Sequence, residues 1–110
     1  MFGVIKRDGE KADFNLVKIS DAIVKAFNAT EVQYNDDIVD LLTLRVTADF
    51  QSKVQDGFVH VEDIQDSVEK ILEQSGYVET AKAFILYRKQ REKMRNMKST
   101  ILDYKDVVNS

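Results

Sequence analysis

What this sequence lacks excludes several kinds of chemistry. It has no cysteine, which excludes disulfides, thiolate metal sites and thiol catalysis within these residues. Its single histidine, His60, would need several carboxylate partners to hold a metal, and the pattern favours an ordinary strand or loop residue. The four glycines form no G-x-x-x-x-G-K phosphate loop. Because Ser-His-Asp and H-E-x-x-H patterns are also absent, we expect no catalytic residues and no enzyme activity from this domain by itself.

The sequence also lacks proline, internal repeats and low-complexity tracts. No apolar run is long enough to span a bilayer and no signal-peptide pattern is present, so we expect no membrane partner and a cytoplasmic location. The 110 residues suit one domain, and 44% hydrophobic residues suffice for one small core.

Charge is distributed unevenly although the net charge is only −3. Residues 21–79 contain 13 acids and 4 bases, whereas residues 82–98 contain 7 bases and 1 acid. Four more bases lie in the first 18 residues. If the two basic ends meet in space, they form a positive field for a polyanion; the alternative is solvated helix faces. The acidic total and few exposed aromatics argue against a nucleic-acid partner.

The first 28 residues predict a hairpin followed by a helix. Residues 2–7 are typical of a strand, Asp8-Gly9 of a tight primed turn, and residues 11–14 of the returning strand. Asn15 is a candidate N-cap for a helix over 16–28. The apolar face of that helix recurs at helical spacing and consists of Leu16, Ile19, Ala22, Ile23, Ala26 and Phe27.

Three further helices and one strand are predicted after residue 34. A second helix begins at Asn35 to Asp37, with an inward stripe of Ile38, Leu41, Leu42, Val46 and Phe50. Asp56-Gly57 is a turn, and residues 58–61 are the third strand. The third helix covers 62–74 with Gly76 at its C-cap, and the fourth covers 77–96. The expected fold is α+β: a four-helix bundle capped by a small three-stranded sheet with an N-terminal β-hairpin.

Three segments together resemble the ATP-cone domain family over about residues 3–95. They are V-x-K-R-D-G at residues 4–9 with F-N-L-x-K-I at 14–19, H-V-E-D-I-Q-D-x-V-E at 60–69, and the helix A-x-A-F-I-L-Y-R-K-Q-R-E at 81–92. The resemblance implies a domain that binds ATP or dATP as an effector, with Mg²⁺, under the N-terminal hairpin. It also implies that the activity of a ribonucleotide reductase depends on which of the two nucleotides the domain binds.

The resemblance implies roles for ten residues, which we adopt as nucleotide-binding predictions. Apolar walls for the base are expected from Val4 and Ile19, and phosphate contacts from Lys6, Arg7 and Lys18. Val61 and Gln65 are expected to face the nucleotide, and either Arg88 or Lys89 to contact the distal phosphate. Asn15 is expected to hydrogen-bond base or sugar, although its own helix needs it as a cap.

The residues around Lys6 and Arg7 leave two interpretations open. Consecutive strand residues point to opposite faces, so these cations should not reach one phosphate equally. The curl into the turn relaxes this restriction; alternatively, one cation binds phosphate while the other meets a carboxylate. Taken without the resemblance, the segment is an ordinary surface hairpin. Glu62 suits the first turn of a helix with or without a ligand.

The parent protein is a further expectation. We expect residues 1–97 to form the regulatory domain and 98–110 to be a linker or the start of a catalytic domain, with Ile101, Leu102, Tyr104 and Val107 packing on it. Residues 88–110 look most like an anaerobic ribonucleoside-triphosphate reductase, so ATP should activate and dATP inhibit overall activity. The expected partners are the catalytic domain of the same chain and a nucleotide-controlled homo-oligomer.

Three alternatives remain at this point. The nearest is the cone-bearing transcriptional repressor of reductase genes, against which we expect the start at Met1-Phe2-Gly3 to argue, because it leaves no room for the repressor's zinc ribbon. One from a different class is a helical protein-interaction module that binds no ligand. A nucleic-acid module is a third option, which the acidic composition weakens.

Overall fold

The computed structural model describes residues 2–109, with side chains described as far as Lys98. Within this range, four helices and three strands follow in the order β1, β2, α1, α2, β3, α3, α4. The strands are β1 (Gly3–Ile5), β2 (Lys11–Asp13) and β3 (Phe58–His60); the helices are α1 (Leu16–Asn28), α2 (Asp36–Phe50), α3 (Val61–Gln74) and α4 (Val78–Asn109), with a 3₁₀ turn over Gln51–Lys53. The predicted α+β fold is confirmed.

The three strands form one mixed sheet with β1 in the centre. β1 pairs antiparallel with β2 and parallel with β3, so that Ile5 lies between Lys11 and His60. Because β1 and β3 run in the same direction, their carboxyl ends meet at one edge of the sheet. Lys6 and Val61 directly follow those ends, and this edge therefore brings the hairpin loop beside the start of α3.

Gly3 is required where β1 approaches β3. A Cβ placed there would lie 2.6 Å from Cε1 of the Phe58 ring and 3.0 Å from the carbonyl oxygen of Ala12. Both distances are shorter than ordinary van der Waals contact, so a side chain at this position requires the Phe58 ring or the neighbouring strands to shift. The glycine is thus set by close packing rather than by a turn.

The two Asp-Gly turns have different backbone geometries, and the turn at Asp8-Gly9 is not the type that the sequence predicted. Asp56 and Gly57 both have positive φ, 52° and 80°, which is the type I′ geometry that Asp-Gly favours. At the first turn only Gly9 has positive φ, and its N–H donates to the Lys6 carbonyl at 2.9 Å. This is a three-residue loop closed by a bulge, not a tight primed turn, and β1 ends at Ile5.

The predicted helix ends are largely confirmed. Asn15 Oδ1 accepts from the Val17 N–H at 3.0 Å, which makes Asn15 the N-cap of α1. After α3, Gly76 adopts φ 91°, and the N–H groups of Gly76 and Tyr77 donate to the Glu73 and Leu72 carbonyls. This is the Schellman pattern that a glycine at this position favours. α3 begins at Val61, one residue earlier than predicted, directly from β3.

α4 is longer than predicted and runs to Asn109 rather than to Asn96. The expected packing of Ile101, Leu102, Tyr104 and Val107 lies outside the described side chains. In the described part of the chain, no helix combines the length and the apolar character needed to cross a membrane.

The core lies between the helices and the inner face of the sheet. Buried side chains come from all four helices and from β3, among them Ile23, Phe27, Leu42, Val46, Phe50, Val59, Leu72 and Phe84. Two predicted core residues are wrong: Leu41 is 57% exposed and Leu16 is 41% exposed. On α2 the inward position is taken by Thr43, whose hydroxyl donates to the Val39 carbonyl at 2.8 Å and lies 3.2 Å from Ser20 Oγ. Those partners satisfy a buried hydroxyl that sequence hydropathy does not recognise.

Candidate functional site

The hairpin loop is joined to α3 through Arg7. Its Nε lies 2.5 Å from Glu62 Oε1, and its Nη2 donates to Gln65 Oε1 at 3.2 Å. These contacts can form because β1 and β3 pair in parallel, so that the hairpin loop and the first turn of α3 both begin at the same edge of the sheet. The structure thus brings Arg7 and Gln65 together, two of the predicted site residues.

Lys6 and Arg7 have different surroundings. Arg7 meets the carboxylate of Glu62, as one of the two sequence interpretations allowed. Lys6 is exposed, and no ion pair joins it to another residue within 2–98. Because both residues lie in the loop rather than on the strand, the alternation of strand side chains does not govern their directions.

Arg88 of α4 is held by three carboxylates of α3. It donates to Glu62 Oε2 at 2.7 Å, to Asp66 Oδ1 at 3.1 Å and to Glu69 Oε1 at 2.5 Å. Its side chain is 16% exposed. Burial alone lowers the pKa of Arg88, but the three carboxylate bonds outweigh it and raise the pKa above its usual value. The guanidinium therefore stays charged and is already engaged without nucleotide.

We call the five charged residues Arg7, Glu62, Asp66, Glu69 and Arg88 the arginine–carboxylate network. Sequence reasoning missed this network: Glu62 was assigned only a favourable place in a first helical turn, and Asp66 and Glu69 no role. The signal was present, because spacings of four and three place the acids on one face of α3. What the sequence did not reveal is that Arg88 opposes this face.

The remaining predicted residues form no ion pair or hydrogen bond with the network in the described part of the chain. Lys18 is exposed near the start of α1, and Lys89 is exposed on α4. Ile19 is only 5% exposed and belongs to the core, and Val4 packs partly buried against the same core. Val61 is half-buried at the start of α3.

The charges and donors of this region suit an anion. The network contains two arginines and three carboxylates, so its net charge is −1 and it offers no net positive charge of its own. Lys6, Lys18 and Lys89 are unpaired cations among the described residues, and they supply the positive charge of the region. No group of three or more metal-ligating side chains occurs in the described residues. The arrangement can bind and orient phosphates, and it presents no nucleophile beside a base.

The structure defines a small α+β domain whose hairpin loop carries Lys6 and Arg7, and comparison with known families identifies it further. The ATP cone domain family matches residues 2–93. The chain therefore belongs to the ATP-cone family, and the resemblance found in its motifs is confirmed.

Similar proteins are named as ribonucleotide reductases of three kinds. The chain is 43% identical over 103 residues to a ribonucleoside-diphosphate reductase subunit alpha of Chlamydia pneumoniae, covering 86% of this chain and 10% of the relative. It is 35% identical over 100 residues to the anaerobic ribonucleoside-triphosphate reductase of Haemophilus influenzae, covering 91% and 14%. It is 33% identical over 98 residues to a vitamin B12-dependent ribonucleoside-diphosphate reductase of Mycobacterium tuberculosis, covering 89% and 13%. The chain thus spans 10–14% of the length of these relatives.

Proposed function

We propose that this domain binds ATP or dATP at the hairpin loop and the adjoining ends of α1 and α3, and thereby sets the overall activity of a ribonucleotide reductase. ATP activates and dATP inhibits. The observation that carries the proposal is the contrast within the hairpin: Arg7 is fixed on α3, while Lys6 and, at the start of α1, Lys18 are exposed cations. Family membership and the reductase relatives support the same assignment.

Phosphate contacts from Lys6, Arg7 and Lys18 suffice for effector binding. Each charge-assisted hydrogen bond contributes about 1.5–3 kcal/mol. Three such bonds, less the cost of ordering the ligand and the side chains, correspond to dissociation constants of roughly micromolar size. An effector that reports cellular nucleotide levels needs reversible binding of this kind.

The base and sugar lie between the hairpin and the starts of α1 and α3 in this proposal. Val4, Ile19 and Val61 are the apolar contacts; Ile19, already buried in the core, offers only its edge. Asn15 uses its side-chain oxygen as the cap of α1, which leaves its amide NH₂ group as the donor to base or ribose. Gln65 accepts from Arg7 through its oxygen and likewise keeps its NH₂ group for the nucleotide.

For the distal phosphate contact on α4, the two candidates have different surroundings. Arg88 would have to exchange carboxylates for phosphate, because all its contacts shown here are to Glu62, Asp66 and Glu69. Lys89 is exposed and has no ion pair within residues 2–98. We therefore assign the contact to Lys89 and keep Arg88 in the network.

In this proposal Mg²⁺ binds together with the nucleotide. A triphosphate brings about four negative charges, more than three lysines and a partly neutralised arginine can balance. The described residues contain no group of metal ligands, so phosphate oxygens and water would supply the coordination.

The parent enzyme is, we propose, an anaerobic ribonucleoside-triphosphate reductase, of which residues 1–97 are the regulatory domain and 98–110 lead into the catalytic part. The resemblance of residues 88–110 and the relative from Haemophilus influenzae support this. A ribonucleoside-diphosphate reductase is the second candidate, favoured by the 43% identity to the Chlamydia pneumoniae subunit. The catalytic domain of the same chain is the partner, in an oligomer controlled by nucleotide.

A thermal unfolding experiment tests nucleotide binding by this chain. At about 100 times the dissociation constant, a ligand stabilises the folded state by about 2.7 kcal/mol. For a domain of this size that raises Tm by roughly 10 °C or more. We expect such shifts with MgATP and MgdATP and a smaller one with MgCTP as a control. No shift with either adenine nucleotide supports the alternative of a ligand-free interaction module.

A further inference from the structure

Glu62 binds two arginines from two different elements at once. Its Oε1 lies 2.5 Å from Arg7 Nε on the hairpin, and its Oε2 lies 2.7 Å from Arg88 Nη2 on α4. The carboxylate therefore has both oxygens occupied by guanidinium groups. Asp66 and Glu69 contact Arg88, and neither has a contact with Arg7 in the described structure.

The Arg7 end of this bridge can be broken more readily than the Arg88 end. The side chains of Arg7 and Glu62 are 28% and 45% exposed, so water and salt weaken their attraction. Arg88 is 16% exposed and has two further carboxylates. A phosphate group that approaches Arg7 consequently competes with Glu62 alone, together with one neutral bond to Gln65.

We propose that Glu62 is a positioning residue that holds Arg7 without nucleotide and releases it to the triphosphate, so that α4 senses occupancy of the site through the same carboxylate. This proposal rests on the proposed function, since it requires a phosphate ligand at Arg7. Released from Arg7, Glu62 has only Arg88 as a charged partner, and the geometry of the Arg88 contacts changes. The change starts in the first half of α4, which continues to Asn109.

The first test compares MgATP affinities of wild type, Glu62→Gln and Asp66→Asn by calorimetry. Both variants remove one negative charge from the same face of α3, but only Glu62 contacts Arg7. Loss of an exposed ion pair that competes with the ligand should tighten binding roughly three- to fivefold more in Glu62→Gln than in Asp66→Asn. Equal affinities of the two variants, or weaker binding by Glu62→Gln, overturn the proposal.

The same pair of substitutions in an Arg7→Ala background shows whether the effect acts through Arg7. Without this guanidinium, Glu62→Gln and Asp66→Asn should change MgATP affinity equally, because only the general effect of charge remains. A persisting advantage of Glu62→Gln contradicts the proposal. Far-ultraviolet circular dichroism of each variant confirms that the fold is retained.

Nuclear magnetic resonance of the Arg88 side chain tests transmission to α4. In wild type, MgATP should shift the ¹⁵Nε–Hε signal of Arg88; Asp66→Asn should retain most of that shift, and Glu62→Gln should lose more than half. An Arg88 signal that does not move in a wild type that binds MgATP overturns the proposal but leaves the proposed function standing. Absence of MgATP binding to wild type overturns both.

Discussion

The Glu62 carboxylate accepts from the Arg88 guanidinium at 2.7 Å across a sequence separation of 26 residues. This contact joins the first turn of α3 to the first half of α4, and the same carboxylate contacts Arg7 of the hairpin. A residue with no predicted role beyond its helix end thus joins the three elements that surround the proposed nucleotide site.

Replacement of Arg88 by alanine should destabilise the domain by about 2 kcal/mol, because Asp66 and the partly buried Glu69 then lose their cation and Glu62 keeps only Arg7. Urea unfolding followed by circular dichroism measures the change. Arg91→Ala is the control, since Arg91 is exposed and bonds only to the Tyr87 hydroxyl in the described structure. An Arg88→Ala variant as stable as Arg91→Ala would show that the network is structurally unimportant.

Lys6→Ala and Lys18→Ala should each weaken MgATP binding by about tenfold or more, the loss expected for one charge-assisted phosphate bond. Both side chains are exposed and unpaired in the described residues, so Tm without nucleotide should stay within about 2 °C of wild type. Lys82→Ala serves as the matched control, because Lys82 is an exposed lysine near the start of α4 and its one ion pair within residues 2–98 is with Glu79. Unchanged affinity in both variants contradicts the phosphate assignment.

Acid should destabilise the domain partly through Asp49. Hydrogen bonds from Lys70 and Ser67 lower the pKa of Asp49 below its ordinary value. A carboxylate whose pKa is lowered by folding contributes stability above its unfolded pKa and loses that stability as the pH falls to the folded pKa. The free energy of unfolding of wild type should therefore decline more steeply below about pH 4 than that of Asp49→Asn. Parallel pH profiles for the two proteins would rule out this contribution.

Gly3→Ala should destabilise the domain by roughly 1–3 kcal/mol, as overpacking typically does. The added methyl would meet the Phe58 ring, and this separates β1 from β3. The double variant with Phe58→Ala should recover part of the loss relative to Phe58→Ala alone. Chemical denaturation of the four proteins measures the coupling, and additive effects would indicate that the close contact is not the cause.

Local sequence signals predicted most of the fold. Asn15, Asn35 and Gly76 mark helix ends through hydrogen bonds that depend on residues only a few positions away. The apolar spacing of α1 and α3 likewise identified their buried faces. Leu41 was misplaced because α2 carries apolar residues on more than one side, and only the tertiary partner of Thr43 shows which side is inward.

The site was predicted less completely than the fold. Family motifs located Arg7 and Gln65, which the structure joins. The pairing of Arg88 with Glu62, Asp66 and Glu69 depends on the way α3 packs on α4, and no local rule specifies that packing. Which charged residues of two helices form ion pairs becomes known only when the packing of the two helices is known.

Calorimetric titration of this chain with MgATP tests the central claim most directly. The account predicts saturable binding with a dissociation constant of roughly micromolar size, weakened in Lys6→Ala and Lys18→Ala but not in Lys82→Ala. If no binding heat is detected at any of the temperatures tested, and MgATP does not change Tm, the assignment of an ATP-binding regulatory site to this domain is contradicted.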